Sequence, residues 1–276
     1  MKPKTKAVRV GGVVLGGKAP LALIAGPCVI EGRKACLDLA CRLADMAREE
    51  SIPFVFKASY DKANRSSIES YRGPGLAEGL DILAEVKGRY QVPVLTDVHR
   101  DCDVPAVAAV VDMIQIPAFL CRQTDLVVAA GRCGKPVNVK KAQFLAPWDM
   151  RHVVAKLEST GSRGITLTER GTCFGYNNLV ADMRSLLIMR EFGYPVVFDA
   201  THSVQLPGAA GKESGGDSRW APYLARAAVA AGCDAVFIET HVNPGKALSD
   251  RSTSLKVPLI RDLWRTLRRI DESANG

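Results

Sequence analysis

No run of apolar residues in this sequence is long enough to cross a membrane, and aromatic side chains are scarce. Nothing approaches the ~20 apolar residues that a membrane-spanning helix needs, and the basic start Met1-Lys2-Pro3-Lys4 is not followed by the apolar segment of a signal peptide. Aromatic residues make up 6% of the chain and do not alternate with basic ones, so the net charge of +8 does not indicate a nucleic-acid-binding surface. We therefore expect a cytoplasmic protein with neither a membrane nor a nucleic acid as partner.

The chain also lacks CxxC pairs and zinc-finger spacing, although it contains eight cysteines. They stand at positions 28, 36, 41, 102, 121, 133, 173 and 233. Without a secretion signal, such cysteines are expected to be reduced thiols, most of which pack as small core residues. Cys28 is the exception, because it directly follows a predicted strand.

No linker or low-complexity segment divides the chain. Its content of 47% apolar and 24% charged residues is typical of a soluble globular protein. A length of 276 residues suffices for one large domain or for two smaller ones. The unbroken alternation of strand-like and helix-like segments favours a single domain over residues 1–276.

Eight short β-branched runs alternate with longer helix-like segments. The runs span residues 21–26, 52–58, 92–98, 112–118, 135–141, 164–170, 194–200 and 234–240. The helix-like segments between them include residues 34–50, 76–89, 148–159, 182–192 and 219–231. Eight βα units in one domain-sized length predict an α/β fold of the (β/α)8 TIM-barrel type. The alternative is an open doubly wound sheet, which normally uses fewer units.

Two additional strands precede the first βα unit. Residues 7–17, AVRV-GG-VVLGG, place Gly11 and Gly12 between two apolar runs, a pattern typical of a tight β-hairpin. We expect this N-terminal hairpin to cap the bottom of the barrel, opposite the face on which TIM-barrel enzymes carry their active sites.

Polar residues stand at or just beyond the carboxyl ends of the predicted strands. Surface polarity alone would scatter such residues through the helices as well, so this placement predicts an enzyme with its active site at the carboxyl-terminal face. These strand-end residues include two groups, which the following paragraphs describe. The others are Asp97, His99, Gln115, Asp199 and His241.

Four of these residues form a cationic group after strands two, five and six. The group consists of Lys57, Lys62, Lys140 and Arg170. Four positive charges at one face would bind a phosphate and a carboxylate together, and an arginine is suited to bidentate contacts with either anion. The alternative is a set of separate structural ion pairs with Asp61, Asp97 and Glu169.

The segment KASYDKANRSS, residues 57–67, adds further groups that can hold a phosphate or a sugar. Ser59, Asn64 and Arg65 lie beside the two lysines of this segment, directly after a run that is predicted to be a buried strand. A basic surface loop is the alternative for this segment taken alone. Cations that leave the end of a buried strand are better explained by an anionic ligand above the barrel.

A second group combines one thiol, one imidazole and two carboxylates: Cys28, His202, Glu239 and Asp250. Strands one, seven and eight become neighbours when a barrel closes, so these distant residues are expected to meet. Such a set of ligands suits a divalent ion such as Zn²⁺, Fe²⁺ or Mn²⁺. The alternative is four unrelated structural roles, namely a buried cysteine, a core histidine, a surface glutamate and a helix-capping aspartate.

The stretch from residue 205 to residue 216 is long and glycine-rich, with Gly208, Gly211, Gly215 and Gly216. Loops of this length are either lids or disordered segments. A lid over the active site would suit chemistry that must exclude water.

Several long motifs together resemble one enzyme family. They are KASYDKANRSS (57–67), IESYRGPGL (68–76), IAGPC (24–28), LTDVH (95–99), QIPAFLCRQTDL (115–126), NVKKAQFLAP (138–147), ERGTCFGYNNLV (169–180), FDATHSVQLPG (198–208), FIETH (237–241) and KALSD (246–250). By these motifs, which cover nearly the whole chain after the hairpin, the sequence resembles the 3-deoxy-D-manno-octulosonate 8-phosphate synthases.

The resemblance implies condensation of phosphoenolpyruvate with D-arabinose 5-phosphate, a step of lipopolysaccharide biosynthesis. A related seven-carbon synthase that uses erythrose 4-phosphate is the alternative, but it usually carries a KPRTS-like motif where this chain has KANRSS. By resemblance, phosphoenolpyruvate would contact Lys57, Ser59, Lys62, Gln115, Ala118, Lys140, Gln143 and Arg170. Arabinose 5-phosphate would contact Asn64, Arg65 and Ser66, together with Arg122 from an adjacent subunit of a homotetramer.

The resemblance also implies a metal ion. The family has metal-dependent and metal-independent branches, which differ chiefly in having Cys or Asn at the position of Cys28. With Cys28, His202, Glu239 and Asp250 all present, this sequence is similar to the metal-dependent branch. Residues expected to take part in catalysis are Cys28, Lys57, Lys62, Asp97, Lys140, His202 and Asp250.

Overall fold

Eight parallel strands form a closed barrel in the computed structural model, which describes residues 3–209 and 214–275. The barrel strands are β3 (Ala22–Gly26), β4 (Phe54–Lys57), β5 (Val94–Asp97), β6 (Met113–Ile116), β7 (Val137–Lys140), β8 (Ile165–Glu169), β11 (Val196–Asp199) and β14 (Ala235–Glu239). Each lies within one of the eight predicted runs. The ring closes because β14 pairs with both β3 and β11, and β11 pairs with β8. The TIM-barrel prediction is confirmed.

Helices follow the barrel strands and cover the outside of the barrel. They are α1 (Arg33–Glu49), α2 (Leu76–Tyr90), α3 (Val104–Val110), α4 (Thr124–Arg132), α5 (Met150–Glu158), α6 (Arg184–Arg190), α7 (Ala221–Ala231) and α8 (Val257–Asn275). Their buried apolar faces pack against the outward-facing side chains of the strands in the larger of two hydrophobic clusters. Among the described residues, no helix combines the length and the apolar character needed to span a membrane.

The predicted hairpin consists of β1 (Ala7–Val10) and β2 (Val13–Gly16), paired antiparallel. Gly11 has φ +55°, a value that favours glycine in the tight turn. A Cβ added there would lie 2.9 Å from Pro93, which precedes β5. The hairpin therefore covers the end of the barrel at which strands begin, as predicted.

The barrel interior changes from apolar at this bottom end to polar at the top. Successive inward-facing residues of a strand are two positions apart, so Val55 and Lys57 of β4 lie one above the other, as do Phe237 and Glu239 of β14. The lower positions pack with the hairpin in a second hydrophobic cluster. The upper positions carry buried polar side chains. This gradient places charged groups at the top of the barrel.

Two short two-stranded pairings lie in the loops at the top. β9 (Thr172–Cys173) pairs with β10 (Leu179–Val180), and β12 (Gln205–Leu206) pairs with β13 (Gly215–Gly216). The second of these pairings closes the base of the predicted lid. Gly211 and the rest of residues 210–213 lie outside the described part of the chain.

Candidate active site

A cavity of about 290 Å³ opens among the loops at the carboxyl ends of the barrel strands. Its walls bring together residues from many parts of the sequence, including most of those selected from the motifs. The predicted residues that line it are Lys57, Lys62, Asn64, Arg65, Ser66, Asp97, His99, Gln115, Ala118, Lys140, Gln143, Arg170, His202, Glu239 and Asp250. The barrel thus places both predicted groups in a single space.

Of the residues predicted to act in catalysis, substrate binding or metal binding, three lie outside the cavity wall. Cys28 is buried behind it, where its thiol donates a hydrogen bond of 2.8 Å to Asp250 Oδ2. Ser59 is fully buried and donates its hydroxyl proton to the Asp97 carboxylate, so it orients a wall residue. Arg122 has an exposed side chain and is not among the residues that line the cavity of its own chain.

Two cations of the cavity are engaged in buried ion pairs. Lys57 Nζ lies 2.9 Å from Glu239 Oε1, and both side chains are 1% exposed. Lys140 Nζ lies 2.5 Å from Asp199 Oδ2 and 3.7 Å from the centre of the Phe237 ring. The cationic group is therefore held in place by carboxylates that lie deeper in the barrel.

The acidic partners differ from those that the sequence suggested for structural ion pairs. Asp61 forms its ion pair with Arg72, and Glu169 lies 3.5 Å from Lys141 Nζ. Glu169 also accepts a hydrogen bond from Ser185. Neither carboxylate forms its ion pair with Arg170, whose Nη2 donates a hydrogen bond of 2.7 Å to Gln205 Oε1.

Unpaired polar atoms are concentrated in this cavity. Within the described part of the chain, five buried side-chain nitrogen or oxygen atoms lack a hydrogen-bond partner: Arg65 Nη2, His99 Nδ1, Gln143 Oε1, Arg170 Nη1 and Glu239 Oε2. All five residues line the cavity. Because a buried polar atom without a partner costs about 1–3 kcal/mol, this concentration indicates a site shaped for a polar ligand.

The electrostatic balance keeps the wall carboxylates ionised. Burial opposes the charge of Asp97, but the positive charges of Lys62, His99 and Lys57 outweigh it and hold the pKa of this carboxyl well below its usual range. For Glu239 burial is likewise outweighed, by His202 and the nearby lysines, and its pKa is lowered. These anions are therefore available as bases or as ligands at neutral pH.

The pKa values of the buried cations are shifted in two directions. For Lys62 the effect of burial is outweighed by neighbouring negative groups, so that its pKa is raised. Burial lowers the pKa of Lys140 and that of Arg170, even though Asp199 opposes the shift in both cases. The Lys140 ammonium is therefore a stronger acid than that of an exposed lysine.

The predicted metal ligands come together at one side of the cavity. Ligand atoms of Cys28, Glu239 and Asp250 lie within 4.8 Å of one another. His202 Nε2 lies beside them, 3.6 Å from Glu239 Oε2 and 3.8 Å from Asp250 Oδ2. We refer to these four residues as the ligand cluster.

The ligand cluster has the chemistry of a divalent-cation site. Glu239 Oε2 is one of the buried atoms without a partner. Burial, followed by the charges of Asp250 and Glu239, raises the pKa of the Cys28 thiol well above its usual value. The protein alone therefore favours a protonated thiol, and a bound cation would favour the thiolate. A donor set of sulfur, imidazole and carboxylate fits a transition metal.

Local backbone geometry brings the two halves of the ligand cluster together. A Cβ at Gly26 would lie 1.8 Å from the Lys57 carbonyl oxygen, so only glycine allows β3 to approach β4 where Cys28 enters the site. On the opposite side, Asp250 adopts a left-handed conformation with φ +47°. Aspartate tolerates this region better than most residues, and here it directs the carboxylate towards Cys28.

Sequence reasoning missed two residues that link these groups. Gln205 Nε2 donates to Asp250 Oδ1 at 2.8 Å while Gln205 Oε1 accepts from Arg170, so it joins the cationic group to the ligand cluster. Ser249 Oγ lies 2.8 Å from Cys28 Sγ. Neither side chain is ionisable, so charge offered no signal. Their positions within FDATHSVQLPG and KALSD were the only indication.

The predicted lid contributes directly to the cavity. Pro207, Gly208 and Ser214 line it, from both sides of residues 210–213. The pairing of β12 with β13 holds the base of the loop beside Gln205. The loop thus borders the site, as a lid requires.

Comparison with known proteins identifies the family of this chain. Residues 3–272 match the model of the DAHP synthetase I family. A protein of Geotalea uraniireducens is 58% identical over 266 residues, covering 96% of this chain and 98% of the relative. Relatives from a Geobacter species (strain M21) and from Alkalilimnicola ehrlichii are each 56% identical, over 98% and 96% of this chain and 99% and 96% of their own lengths. All three relatives are named 2-dehydro-3-deoxyphosphooctonate aldolase.

Matches of this extent agree with the family that the motifs indicated. The chain belongs to the DAHP synthetase I family and, within it, to the 2-dehydro-3-deoxyphosphooctonate aldolases, also known as 3-deoxy-D-manno-octulosonate 8-phosphate synthases.

Proposed function

We propose that this chain condenses phosphoenolpyruvate with D-arabinose 5-phosphate and water, giving 3-deoxy-D-manno-octulosonate 8-phosphate and inorganic phosphate. The observation that carries the proposal is the convergence of five unpaired buried polar atoms on one cavity that is lined by lysine and arginine. Two phosphorylated substrates would supply the missing partners. The names of the relatives support the eight-carbon product.

Phosphoenolpyruvate would occupy the deeper part of the cavity. Lys57 and Lys140 are fixed there by their ion pairs, and Arg170 Nη1 is free to donate to a phosphate or carboxylate oxygen. Ser59 acts through Asp97, which it orients. Further contacts would come from Lys62, Gln115, Ala118 and Gln143. Fixed charges that hold both anionic groups supply proximity and orientation for the reaction.

Arabinose 5-phosphate would bind nearer the mouth. Asn64, Arg65 and Ser66 lie side by side on the wall, and Arg65 is held by a hydrogen bond of 3.1 Å from its Nε to the Tyr71 carbonyl oxygen. That contact leaves Arg65 Nη2 available for the sugar phosphate. The phosphate would then lie at the solvent side, with the aldehyde directed inwards.

The reaction forms one C–C bond and one C–O bond to the water oxygen, and it breaks the C–O bond to the phosphate. Carbon 3 of phosphoenolpyruvate attacks the aldehyde carbon of the open-chain sugar, and the aldehyde oxygen takes up a proton. We assign that proton to Lys140, whose pKa is lowered by burial. Positive charge at carbon 2 is met by water, which loses a proton to a wall base, for which Asp97 is our candidate. The resulting tetrahedral phosphohemiketal then expels phosphate.

We further propose that Cys28, His202, Glu239 and Asp250 hold a divalent ion, with Zn²⁺, Fe²⁺ and Mn²⁺ as candidates. Such an ion would supply electrophilic activation of the aldehyde or of water. The unpaired Glu239 Oε2 and the close approach of Cys28 to Asp250 support this assignment. Cys28 then serves as a ligand, and no covalent enzyme intermediate is required.

The functional assembly that we propose is a homotetramer working in the cytoplasm for lipopolysaccharide synthesis. The exposed Arg122 would reach the sugar phosphate of a neighbouring site, which agrees with its position outside the cavity of its own chain. The buried thiols of Cys28, Cys36 and Cys121, which form no disulfide, support a reducing compartment. Sedimentation would give the subunit number, and Arg122→Ala should raise KM for arabinose 5-phosphate.

The reaction is tested by following phosphoenolpyruvate consumption and phosphate release with either aldose. We expect turnover with arabinose 5-phosphate and at most slow turnover with erythrose 4-phosphate. A preference for erythrose 4-phosphate would instead support the seven-carbon synthase. Tight binding of phosphoenolpyruvate without phosphate release under any condition, including added divalent metal, would indicate a non-catalytic phosphosugar-binding barrel.

A further inference from the structure

The loop between β14 and α8 carries Asp250, one of the four residues of the ligand cluster. Its ends are joined at the base, because Thr240 Oγ1 and the His241 backbone N–H both donate to the Leu255 carbonyl oxygen, at 2.6 and 3.1 Å. Ser249 and Asp250 lie well beyond this base, near the cavity. Their positions therefore depend on contacts that hold the middle of the loop.

Glu31 provides such a contact from the segment that follows Cys28, on the other side of the ligand cluster. Its Oε1 accepts a hydrogen bond of 2.7 Å from the backbone N–H of Leu248. Its Oε2 lies 3.4 Å from His241 Nε2. One carboxylate therefore contacts the loop both near its base and near its middle. Glu31 itself stands two residues before the start of α1.

The orientation of His241 favours this arrangement. The backbone N–H of Asn243 donates to His241 Nδ1 at 2.9 Å, so this nitrogen acts as an acceptor. The other ring nitrogen, Nε2, faces Glu31. The histidine side chain is 13% exposed and that of Glu31 is 16% exposed, so solvent has limited access to the contact.

Sequence spacing connects this contact with the ligands. Glu31 stands three residues after Cys28, and Leu248 stands two residues before Asp250. The Glu31 contact thus ties together the two segments whose side chains meet at 2.8 Å between Cys28 Sγ and Asp250 Oδ2. It does so without using any ligand atom.

The left-handed backbone conformation of Asp250 requires contacts from surrounding residues to hold it. Its φ of +47° is a left-handed value, which is sparsely populated by residues other than glycine and persists where surrounding contacts enforce it. The backbone N–H of Ser254 donates to the Asp250 carbonyl oxygen at 3.0 Å and fixes one side. The Leu248 N–H held by Glu31 fixes the other.

We propose that Glu31 is a positioning residue that sets the separation between the Cys28 thiol and the Asp250 carboxylate, and thereby the affinity of the ligand cluster for a divalent cation. The inference rests on the metal site of the proposed function. It identifies a contact that holds the segment of Cys28 and the segment of Asp250 together. Removal of a residue that orients metal ligands typically weakens metal binding about 10- to 100-fold.

Co²⁺ is a suitable probe, because its binding to a thiolate produces a charge-transfer absorption that reports on Cys28 directly. Titration of the metal-free full-length protein with Co²⁺, in competition with a chelator, gives the affinity. We expect Glu31→Ala to bind Co²⁺ about 10- to 100-fold more weakly than the wild type. Glu31→Gln retains an oxygen that can accept from the Leu248 N–H, and should stay close to wild type.

Two further variants separate position from charge. Glu31→Asp keeps the negative charge but is too short to reach Leu248, so its affinity should fall like that of Glu31→Ala. Asp38→Ala removes a carboxylate from the exposed side of α1 and leaves the contacts of Glu31 in place, so it should change nothing. If Glu31→Ala does not fold, the comparison of Glu31→Asp with Glu31→Gln decides the question.

The proposal is overturned if Glu31→Ala or Glu31→Asp binds Co²⁺ as tightly as the wild type, or if Asp38→Ala weakens binding equally. Absence of a thiolate band in the wild type also overturns it, since the ligand cluster would then hold no metal through Cys28. Phosphoenolpyruvate consumption with arabinose 5-phosphate is measured separately. Failure of the Glu31 inference is thereby distinguished from failure of the proposed synthase activity.

Discussion

The two ends of the barrel both contain buried charges, but among the described residues the buried side-chain atoms without partners lie at one end alone. At the bottom, the hairpin covers an apolar interior, and Arg190 is paired with Asp234 while donating twice to the Pro3 carbonyl oxygen. At the top, Arg170 makes one hydrogen bond to Gln205 and keeps Nη1 unpaired.

This difference separates charges that hold the fold from charges that await a ligand. Arg190 and Arg170 are 1% and 4% exposed, so burial alone does not distinguish them. Their partners do, because Asp234 also accepts the Val196 backbone N–H at 2.8 Å and completes a closed network. A buried cation with a free donor beside a cavity is the better indicator of function.

Removal of the metal should have the largest effect of any change at the top. We expect chelation, or the substitution Cys28→Ala, to abolish metal-dependent turnover while the melting temperature of the apoprotein stays nearly unchanged. Activity is measured as phosphoenolpyruvate consumption, with add-back of Zn²⁺, Fe²⁺ or Mn²⁺ as the control. Full activity in metal-free Cys28→Ala would reduce Cys28 to a packing residue.

Arg170→Ala tests the difference between the two ends of the barrel at a single side chain. It removes a charged donor that we propose contacts the substrate anion, and such losses cost about 2–5 kcal/mol, or roughly 30- to 5,000-fold in kcat/KM. Thermal stability should change little, since the Arg170 network is incomplete without ligand. Steady-state kinetics and a melting curve provide the two measurements. A large loss of stability with normal kinetics would remove the distinction between the two ends.

Arg190→Ala is the matched change at the bottom and should have the opposite pattern. It leaves the Asp234 carboxylate buried and unpaired, a loss that typically costs about 3–5 kcal/mol of unfolding free energy. Under conditions where the variant stays folded, its kcat/KM should equal that of the wild type. Urea unfolding gives the stability. A selective fall in kcat of the folded variant would contradict a purely structural role.

The effect of Asp97→Asn on thermal stability, as distinct from its effect on catalysis, should depend on pH. The folded-state pKa of Asp97 is lowered, since Lys62, His99 and Lys57 outweigh burial. Its ionisation therefore stabilises the fold above the unfolded pKa of about 3.9, and this contribution is lost as the pH falls towards the folded value. The melting temperature of the variant should fall less than that of the wild type between pH 5 and pH 3. Parallel curves would contradict this contribution.

Much of the molecule could be predicted from consecutive residues. The alternation of short β-branched runs with helical segments gave all eight barrel strands to within a few residues, because strand and helix periodicity are local properties. Gly11 and Gly12 marked the hairpin for the same reason. Polar residues at strand ends indicated the face of the site, since parallel strands in a barrel all end on one side.

Contacts between distant segments could not be obtained in this way. Lys57 and Glu239 are 182 positions apart, and Lys140 and Asp199 are 59 apart. Nothing in their local sequence shows that they pair, and the suggested partners Asp61 and Glu169 proved to bind Arg72 and Lys141. The neutral Gln205 was missed because its importance comes from two contacts across the barrel.

The sequence by itself therefore determined the eight-stranded barrel, the hairpin beneath it and the chemical types of side chain above it. Tertiary structure decided which of those charges are neutralised, which polar atoms remain free for ligands, and that Glu31 contacts the loop that carries Asp250. The physical reason is that hydrophobic periodicity is specified by near neighbours, whereas charge neutralisation depends on which strand ends become adjacent when the barrel closes.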